Sequence, residues 1–292
     1  MIQNIVFYNH WHLGDLFTTR QWVKDMMEQT PACSHTYAHC HSEKLTRDLC
    51  EYAQQNHQLL NDLPNNTQGV YQESTQTLYV NTWVGTYRSH FDRHPTYVDH
   101  QKIVKSCYQD MCRFGTMLTC KPDAWSYVPQ VDYSLYNLDK AKSLITSHTQ
   151  DKILICNNDV KSGQSDVGDM ANVIQALATN YPDKLFLVTK RLAVTLPNVL
   201  YTSDIFRMQN DLIEISWISQ YCKLIVGKNS GAFTYTNTRD NLKNPHMKMI
   251  CLSQRPIDTL PYGLDHECKF VWADWVSDHE IYSLIEYDLI GH

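Results

Sequence analysis

The sequence predicts an α/β fold made of two domains. Short apolar runs typical of buried strands alternate along the chain with segments whose apolar residues recur at helical spacing. A chain of 292 residues also exceeds what one hydrophobic core usually organises and fits two domains of roughly 130 to 150 residues. Between Lys121 and Asp139 the alternation is interrupted by a proline-containing stretch without clear periodicity. We therefore expect two halves, residues 1–130 and 131–292, each with a parallel sheet of right-handed βαβ units.

In the first half, the strand Asn4–Tyr8 is expected to be followed by the polar loop Asn9–Gly14 and by a helix with Asp15 as its N-cap. The spacing of apolar residues and the residue types predict the remaining elements of this half. These are a strand within Cys33–Cys40, a helix over Glu43–Gln55, a loop over Asn61–Glu73, a strand over Thr77–Val84 and a helix over Tyr97–Met117.

The second half repeats this alternation. We predict strands at Lys152–Cys156, Leu185–Val188, Val199–Tyr201, Leu224–Gly227 and Met247–Leu252, of which the last is expected to close the sheet. Predicted helices carry apolar faces over Val167–Leu177, Leu212–Tyr221 and Val276–Leu289, and a short helix is expected after Ser230-Gly231. The last helix could pack against the second half, or alternatively pack back on the first half.

The composition is that of a globular protein, with 43% hydrophobic and 19% charged residues. No stretch approaches the roughly 18 consecutive apolar residues of a membrane span, and the first residues look like a strand rather than a targeting signal, so we expect a cytoplasmic protein without a membrane span. A net charge of −6 spread along the chain argues against nucleic acid as a partner. The ten cysteines are expected to be reduced thiols, many of them buried.

Three loops follow predicted buried strands and precede predicted helices: His12–Asp15, Asn157–Gly163 and Gly227–Gly231. In an open parallel sheet, ligands bind beyond the carboxyl ends of the strands. At the start of a helix, Ser230 and Gly231 would offer a hydroxyl and backbone N–H groups to a diphosphate, aided by roughly half a positive charge from the helix dipole. A plain tight turn at Ser230-Gly231 and a plain helix cap at Gly14-Asp15 are alternatives that the sequence leaves open.

Two segments resemble the bacterial heptosyltransferases, the ADP-heptose:lipopolysaccharide transferases. One is Asn4–Met27, with His12-Leu13-Gly14-Asp15, and the other is Leu224–Phe233, with Asn229-Ser230-Gly231. In that family a Gly-Asp pair follows the first strand, and an Asp-Ser/Thr-Gly motif opens a helix in the second domain. The resemblance implies the GT-B architecture, in which an N-terminal acceptor domain and a C-terminal donor domain, both Rossmann-like, border a central interdomain cleft.

The resemblance also implies a reaction. A sugar would pass from a nucleotide-sugar donor to a hydroxyl of a glycan or glycoconjugate acceptor, with inversion, without a metal and without a cofactor. Asp15 corresponds to the general base, a role worth roughly 10² to 10⁴ in rate. Residues of the second half would bind the donor, with lysines offsetting the charge of the leaving diphosphate: Asn157, Asn158, Lys161, Lys190, Asn229, Ser230, Gly231 and Ala232.

For the acceptor we expect contacts from His10, His12 and Gly14 in the first loop, although surface-loop histidines are an equally simple interpretation. Arg88 and Arg93 could orient a hydroxylated or anionic acceptor from the loop after the Thr77–Val84 strand. Sugar rings could stack on aromatic side chains of that loop, and core packing explains Trp83 equally well.

Two positions depart from the family pattern, because Asn229 stands where the family has an acidic residue and Thr234 where it has a histidine. They support the alternative of a noncatalytic nucleotide-sugar or glycan-binding relative. The cluster Cys33–His41 superficially suggests zinc, but alternation along a strand points Cys40 away from the histidines, and we expect no metal site. An NAD-dependent enzyme is disfavoured because no Gly-x-Gly-x-x-Gly follows a predicted strand.

Overall fold

The computed structural model describes residues 1–49, 53–54, 57–64, 67–88, 100–161, 163–206, 211–254, 262, 264–274 and 276–290. The chain divides into two compact units, Met1–Leu135 with Leu260–Leu264 and Tyr136–Thr259 with Asp265–His292. Each unit contains a largely parallel sheet with helices, so the predicted α/β class with two Rossmann-like domains is confirmed. The interdomain cleft stays a prediction. No helix in the described ranges is long and apolar enough to cross a membrane.

The first unit holds a five-stranded sheet and five α-helices among its described residues. The strands are β1 (Asn4–Asn9), β2 (Ser34–His39), β3 (Ala53–Gln54), β4 (Gly69–Gln72) and β5 (Thr77–Asn81). The helices are α1 (Leu13–Thr18), α2 (Arg20–Gln29), α3 (His57–Asp62), α4 (Val84–Arg88) and α5 (His100–Cys112). The strand order is β3-β2-β1-β5-β4, and β4 is antiparallel to β5 whereas the other pairs are parallel.

The helix expected over Glu43–Gln55 is wrong. A 3₁₀ turn covers Glu43–Thr46, and β3 follows. In an α-helix the carbonyl oxygen of Leu45 would accept the N–H of Leu49. Here it accepts the guanidinium of Arg20 at 2.6 Å, and the Leu49 N–H bonds Thr46 instead, at 2.9 Å.

The loop expected over Asn61–Glu73 is also wrong, since it contains the end of α3 and the edge strand β4. Gly69 begins β4 where a Cβ atom would lie 2.7 Å from the terminal methyl of Met111 on α5. The strand therefore approaches α5 closely because this residue has no side chain.

The second unit has a six-stranded, fully parallel sheet: β6 (Lys152–Cys156), β7 (Leu185–Val188), β8 (Val199–Tyr201), β9 (Leu224–Lys228), β10 (Lys248–Leu252) and β11 (Lys269–Ala273). Its helices are α6 (Asp139–Ser147), α7 (Ala171–Asn180), α8 (Thr202–Phe206), α9 (Leu212–Ser219), α10 (Gly231–Thr234), α11 (Arg239–Leu242) and α12 (Asp278–Ile290). The expectation that β10 closes the sheet is wrong, because β11 pairs with its free edge. Helix α12 packs on α7, with Ile281 and Ile285 buried in the core of this unit.

Strand order locates one switch point in each sheet. Starting from β6, the order β8-β7-β6-β9-β10-β11 is the 3-2-1-4-5-6 arrangement of Rossmann folds. The chain leaves β6 in one direction and returns at β9 on its other side, and in the first unit it does the same at β1 and β5. In open α/β sheets ligands bind at such points, beyond the carboxyl ends of the strands.

Candidate functional site

Asp15 lies beyond the carboxyl end of β1, at the switch point of the first unit. Helix α1 begins at Leu13, and the backbone N–H of His12 donates to Asp15 Oδ2 at 3.3 Å. The prediction that Asp15 is the N-cap is therefore wrong. His12 is the N-cap, and Asp15 is the third helical residue, whose carboxylate reaches back to the cap as in a capping box. Gly14 lies in the same turn, and its carbonyl oxygen accepts the Thr18 hydroxyl at 2.8 Å.

The two predicted histidines of this loop have different surroundings. His10 is half-buried and packs edge-to-face on Tyr8, with ring centroids 5.4 Å apart. Burial lowers the pKa of His10, opposed by a hydrogen bond with the backbone of Leu63. Its Nε2 is buried and has no hydrogen-bond partner among the described residues. His12 is exposed.

The predicted arginines are only partly covered by the structure. Arg88 is the last residue of α4, and its side chain lies outside the described part. Arg93 lies wholly outside the described residues. Acceptor binding by either arginine stays a prediction.

In the second unit the structure brings Asn157, Asn158 and Lys190 together where β6 and β7 end. Asn157 is fully buried, and its Oδ1 accepts the backbone N–H of Lys190 at 2.8 Å. Its Nδ2 donates to the carbonyl oxygens of Lys190 and Asp169, at 3.2 and 3.3 Å. The side-chain amide thus ties the end of β6 to the two neighbouring loops.

Asn158 and Lys190 already have side-chain partners. Asn158 Oδ1 accepts the hydroxyl of Thr189, and Lys190 Nζ pairs with the Asp159 carboxylate at 2.7 Å. The Lys190 ammonium lowers the pKa of Asp159. Both partners of this ion pair are exposed, so the pair is weak and can exchange with another anion. Lys161 is exposed on the same loop.

The Asn229-Ser230-Gly231-Ala232 segment links β9 to α10. Ser230 is only 7% exposed, and its hydroxyl oxygen is buried without a hydrogen-bond partner in the described part of the chain. Asn229 donates to Ser253 Oγ at 3.5 Å. Ala232 is buried, so only its backbone remains a candidate for ligand binding. The short helix predicted here is present, but with four residues it carries less dipole charge than a long helix.

The sequence did not single out Lys228. This last residue of β9 is 5% exposed, and its Nζ donates to the carbonyl oxygens of Gly168 and Val167, at 3.3 and 3.5 Å. No carboxylate of the described residues forms an ion pair with it. Burial lowers the pKa of its ammonium, with smaller effects from the charges of Asp159, Lys190 and Asp169. A lysine continuing the fully buried run Leu224–Gly227 is the signal that could have revealed it.

No family model matches the chain, and no curated sequence matches it. Among solved structures, E. coli heptosyltransferase WaaC with ADP shares 11% identity at a TM-score of 0.53, over 99% of this chain and 98% of that chain. The same enzyme with ADP-2-deoxy-2-fluoro heptose shares 11% identity at a TM-score of 0.52, over 98% of this chain and 100% of that chain. Methanocaldococcus jannaschii UDP-GlcNAc 2-epimerase with UDP-GlcNAc and UDP shares 10% identity at a TM-score of 0.52, over 99% of this chain and 94% of that chain.

The chain has a heptosyltransferase-like GT-B fold. Because an epimerase shares this fold, the structural similarity does not identify the reaction that this chain catalyses. Within the GT-B fold, the choice depends on the side chains at the two switch points.

No group of three or more metal-ligating side chains occurs among the residues that the structure describes. In the predicted cluster, His39 Nε2 bonds the Thr46 hydroxyl at 3.0 Å, and His39 Nδ1 accepts the backbone N–H of His41 at 3.1 Å. His35 Nε2 bonds the Thr30 hydroxyl at 2.9 Å. These ring nitrogens therefore have protein partners, and independence of the reaction from metal stays a prediction.

Proposed function

We propose that the protein transfers a sugar from a nucleoside-diphosphate sugar to a hydroxyl group of a glycan or glycoconjugate acceptor, with inversion and without a metal ion. The acceptor oxygen attacks the anomeric carbon, Asp15 takes its proton, and the bond to the diphosphate breaks with its electrons on the departing nucleoside diphosphate. The second unit binds the donor.

The observation that carries this proposal is the buried ammonium of Lys228, two residues before the hydroxyl of Ser230, which has no hydrogen-bond partner among the residues that the structure describes. A buried charge without an opposite partner is unfavourable, and a bound anion removes that cost. Both residues lie at the carboxyl ends of the sheet, at the β6/β9 switch point. A diphosphate supplies both the charge for Lys228 and the acceptor oxygen for Ser230. Lys190, released from Asp159, and Lys161 add positive charge from the neighbouring loop.

Asp15 supports the catalytic half of the proposal by its position beyond β1. Its carboxylate also caps α1, so a substitution must separate the two roles. Asp15→Asn keeps an oxygen that accepts the His12 N–H and removes the basic carboxylate. Asp123 also caps a helical turn of the same unit, by accepting the Trp125 N–H at 3.1 Å, and Asp123→Asn is the matched control.

The test begins with thermal unfolding of the protein with ADP, UDP and GDP and their sugars, in the presence of EDTA. We expect one nucleotide family to raise the melting temperature, since a ligand of the native state stabilises it. Asp15→Asn should keep that shift and lose transfer, whereas Asp123→Asn should keep both. No shift in folded protein would support the noncatalytic glycan-binding alternative. Donor conversion without an acceptor, unchanged by Asp15→Asn, would instead indicate an epimerase.

A further inference from the structure

The carboxyl ends of β1 and β5 carry the same short motif, an asparagine followed two residues later by a tryptophan. The two copies are Asn9-His10-Trp11 and Asn81-Thr82-Trp83. Both asparagines are buried, and each Oδ1 accepts the backbone N–H of its tryptophan, at 2.8 and 3.0 Å. These side-chain bonds form Asx turns, which fix the direction in which the chain leaves each strand.

Thr82 joins the two turns. Its hydroxyl accepts Asn9 Nδ2 at 3.3 Å and donates to the carbonyl oxygen of Tyr8 at 3.2 Å, and it bonds the Tyr37 hydroxyl at 2.9 Å. Since β1 and β5 are hydrogen-bonded neighbours, the turns lie side by side at the switch point.

The turns bring the rings of Trp11 and Trp83 into contact as a tilted pair, with ring centroids 4.7 Å apart and planes inclined by 30°. Trp83 is half-buried and lies against Gly85, where a Cβ atom would come within 2.3 Å of its ring. Trp11 remains 37% exposed, although its backbone is held at both ends, by Asn9 and by His41 Nε2 at 2.9 Å from its carbonyl oxygen.

Packing explains the pair but not its position. An aromatic pair contributes about 0.5–1.5 kcal/mol beyond burial, and burying Trp11 fully would contribute more. Instead, the two Asx turns and the buried hydroxyl of Thr82 between them hold a partly exposed indole at the point of the sheet where ligands bind. Asp15 follows within one helical turn, and its carboxylate bonds the backbone of His12, the residue after Trp11.

We propose that Trp11, supported by Trp83, is the stacking surface for a pyranose ring of the acceptor. A pyranose has one face of C–H groups, which packs on an aromatic ring while the hydroxyls at its rim stay available for hydrogen bonds and for reaction. The stacked ring would therefore present a hydroxyl on the same edge of the sheet as Asp15. This inference rests on the proposed transferase function and names the side chain that would hold the sugar ring of the acceptor.

The experiment is a titration of ¹⁵N-labelled protein with the methyl pyranosides of glucose, galactose, mannose and N-acetylglucosamine, without donor. The Trp11 indole N–H signal is assigned by its loss in Trp11→Phe. At least one pyranoside should shift the Trp11 and Trp83 signals. Trp11→Ala should weaken that binding by about tenfold, which corresponds to one strong aromatic contact. Trp11→Phe keeps a flat ring and should retain most of the affinity.

Tyr221→Ala is the matched control, because Tyr221 is the exposed partner of another aromatic pair, with Trp217 at 4.6 Å. Its removal should leave pyranoside binding unchanged. Absence of any shift of the Trp11 signal would refute the proposal, as would shifts with adenosine or uridine in place of the pyranosides, which would identify a nucleobase surface. Nucleotide-induced stabilisation without pyranoside binding would refute this inference alone. Pyranoside binding without nucleotide-induced stabilisation would refute donor use alone.

Discussion

Replacing Lys228 by methionine should weaken nucleoside-diphosphate binding without weakening the fold. The two hydrogen bonds of Lys228 Nζ, at 3.3 and 3.5 Å, are long, and no carboxylate of the described part of the chain pairs with it. Because burial holds the pKa of Lys228 below that of the unfolded chain, its charged form costs stability at neutral pH, and this cost disappears only above the unfolded value of 10.5. Methionine has similar length and no charge.

The two effects have different magnitudes. A hydrogen bond from a charged group contributes about 1.5–3 kcal/mol, so its loss should raise the Kd for the nucleotide by roughly 10- to 100-fold. The free energy of unfolding should stay within about 1 kcal/mol of the wild type or rise, as when a buried ion is replaced by an apolar group.

Calorimetric titration with ADP and UDP in EDTA, together with urea unfolding, measures both effects. Lys152→Met is the matched control, because Lys152 is 7% exposed and its Nζ also donates to two carbonyl oxygens, of His148 and Gln150, at 2.7 and 3.1 Å. Lys152 begins β6 and so lies at the amino-terminal ends of the strands, away from the carboxyl ends where Lys228 lies. Its replacement should therefore cost stability and leave nucleotide affinity unchanged. Wild-type nucleotide affinity in Lys228→Met, with a loss of about 2 kcal/mol or more in stability, would show that Lys228 only clamps the Val167–Gly168 loop.

Three further predictions concern the scaffold around the two switch points. Asn157→Ala should lower the free energy of unfolding by about 2–3 kcal/mol in urea, since it removes three hydrogen bonds from a buried side chain to the part-buried backbone groups of Lys190 and Asp169, and a loss below about 1 kcal/mol would contradict this role. Stability should fall as the pH drops from 6.5 towards 4, because burial and the neighbouring His41 lower the pKa of His39 to about 4 and the unfolded chain takes up the proton first. The free energy of unfolding, measured by denaturation at several pH values in that range, should depend less steeply on pH for His39→Gln. An equally steep dependence would assign the effect to other groups. Gly227→Ala should cost about 1–3 kcal/mol, because its Cβ would lie 2.6 Å from Cys156 Cβ, whereas Gly168→Ala, with open space around it, should be nearly neutral in the same assay.

The central strands could be predicted because inner strands of a parallel sheet are buried on both faces and appear as continuous apolar runs. β6, β7 and β9 are of this kind. β4 could not be predicted, because none of its residues is fully buried at the sheet edge and its sequence shows no alternation of apolar and polar residues. Glu43–Gln55 has helical periodicity, but Arg20, distant in sequence, takes the carbonyl oxygen that would continue the helix.

For the candidate site, the sequence located the loops but not the state of their polar atoms. Asn157 and Lys228 both follow apolar runs, yet the Asn157 amide bonds backbone groups of other loops and the Thr189 hydroxyl. The Lys228 ammonium has two long bonds within the described part of the chain. Their partners are brought together by strand pairing, which local pattern does not encode. The twin Asn-x-Trp motifs were visible in the sequence, but their meaning depends on β1 and β5 being neighbours.

The two switch points together offer a way to separate transfer from epimerisation, which the shared fold cannot do. Both reactions need a nucleotide-sugar site, and the second unit supplies the groups proposed for it. Only transfer needs a second substrate, so a pyranoside that binds beside Asp15 while a nucleotide sugar is also bound would favour a transferase. With an acceptor in hand, Trp11→Ala should raise the acceptor KM about tenfold and change kcat little, because stacking contributes equally to the bound substrate and the transition state. A fall in kcat at constant KM would instead show that Trp11 positions Asp15 rather than the sugar.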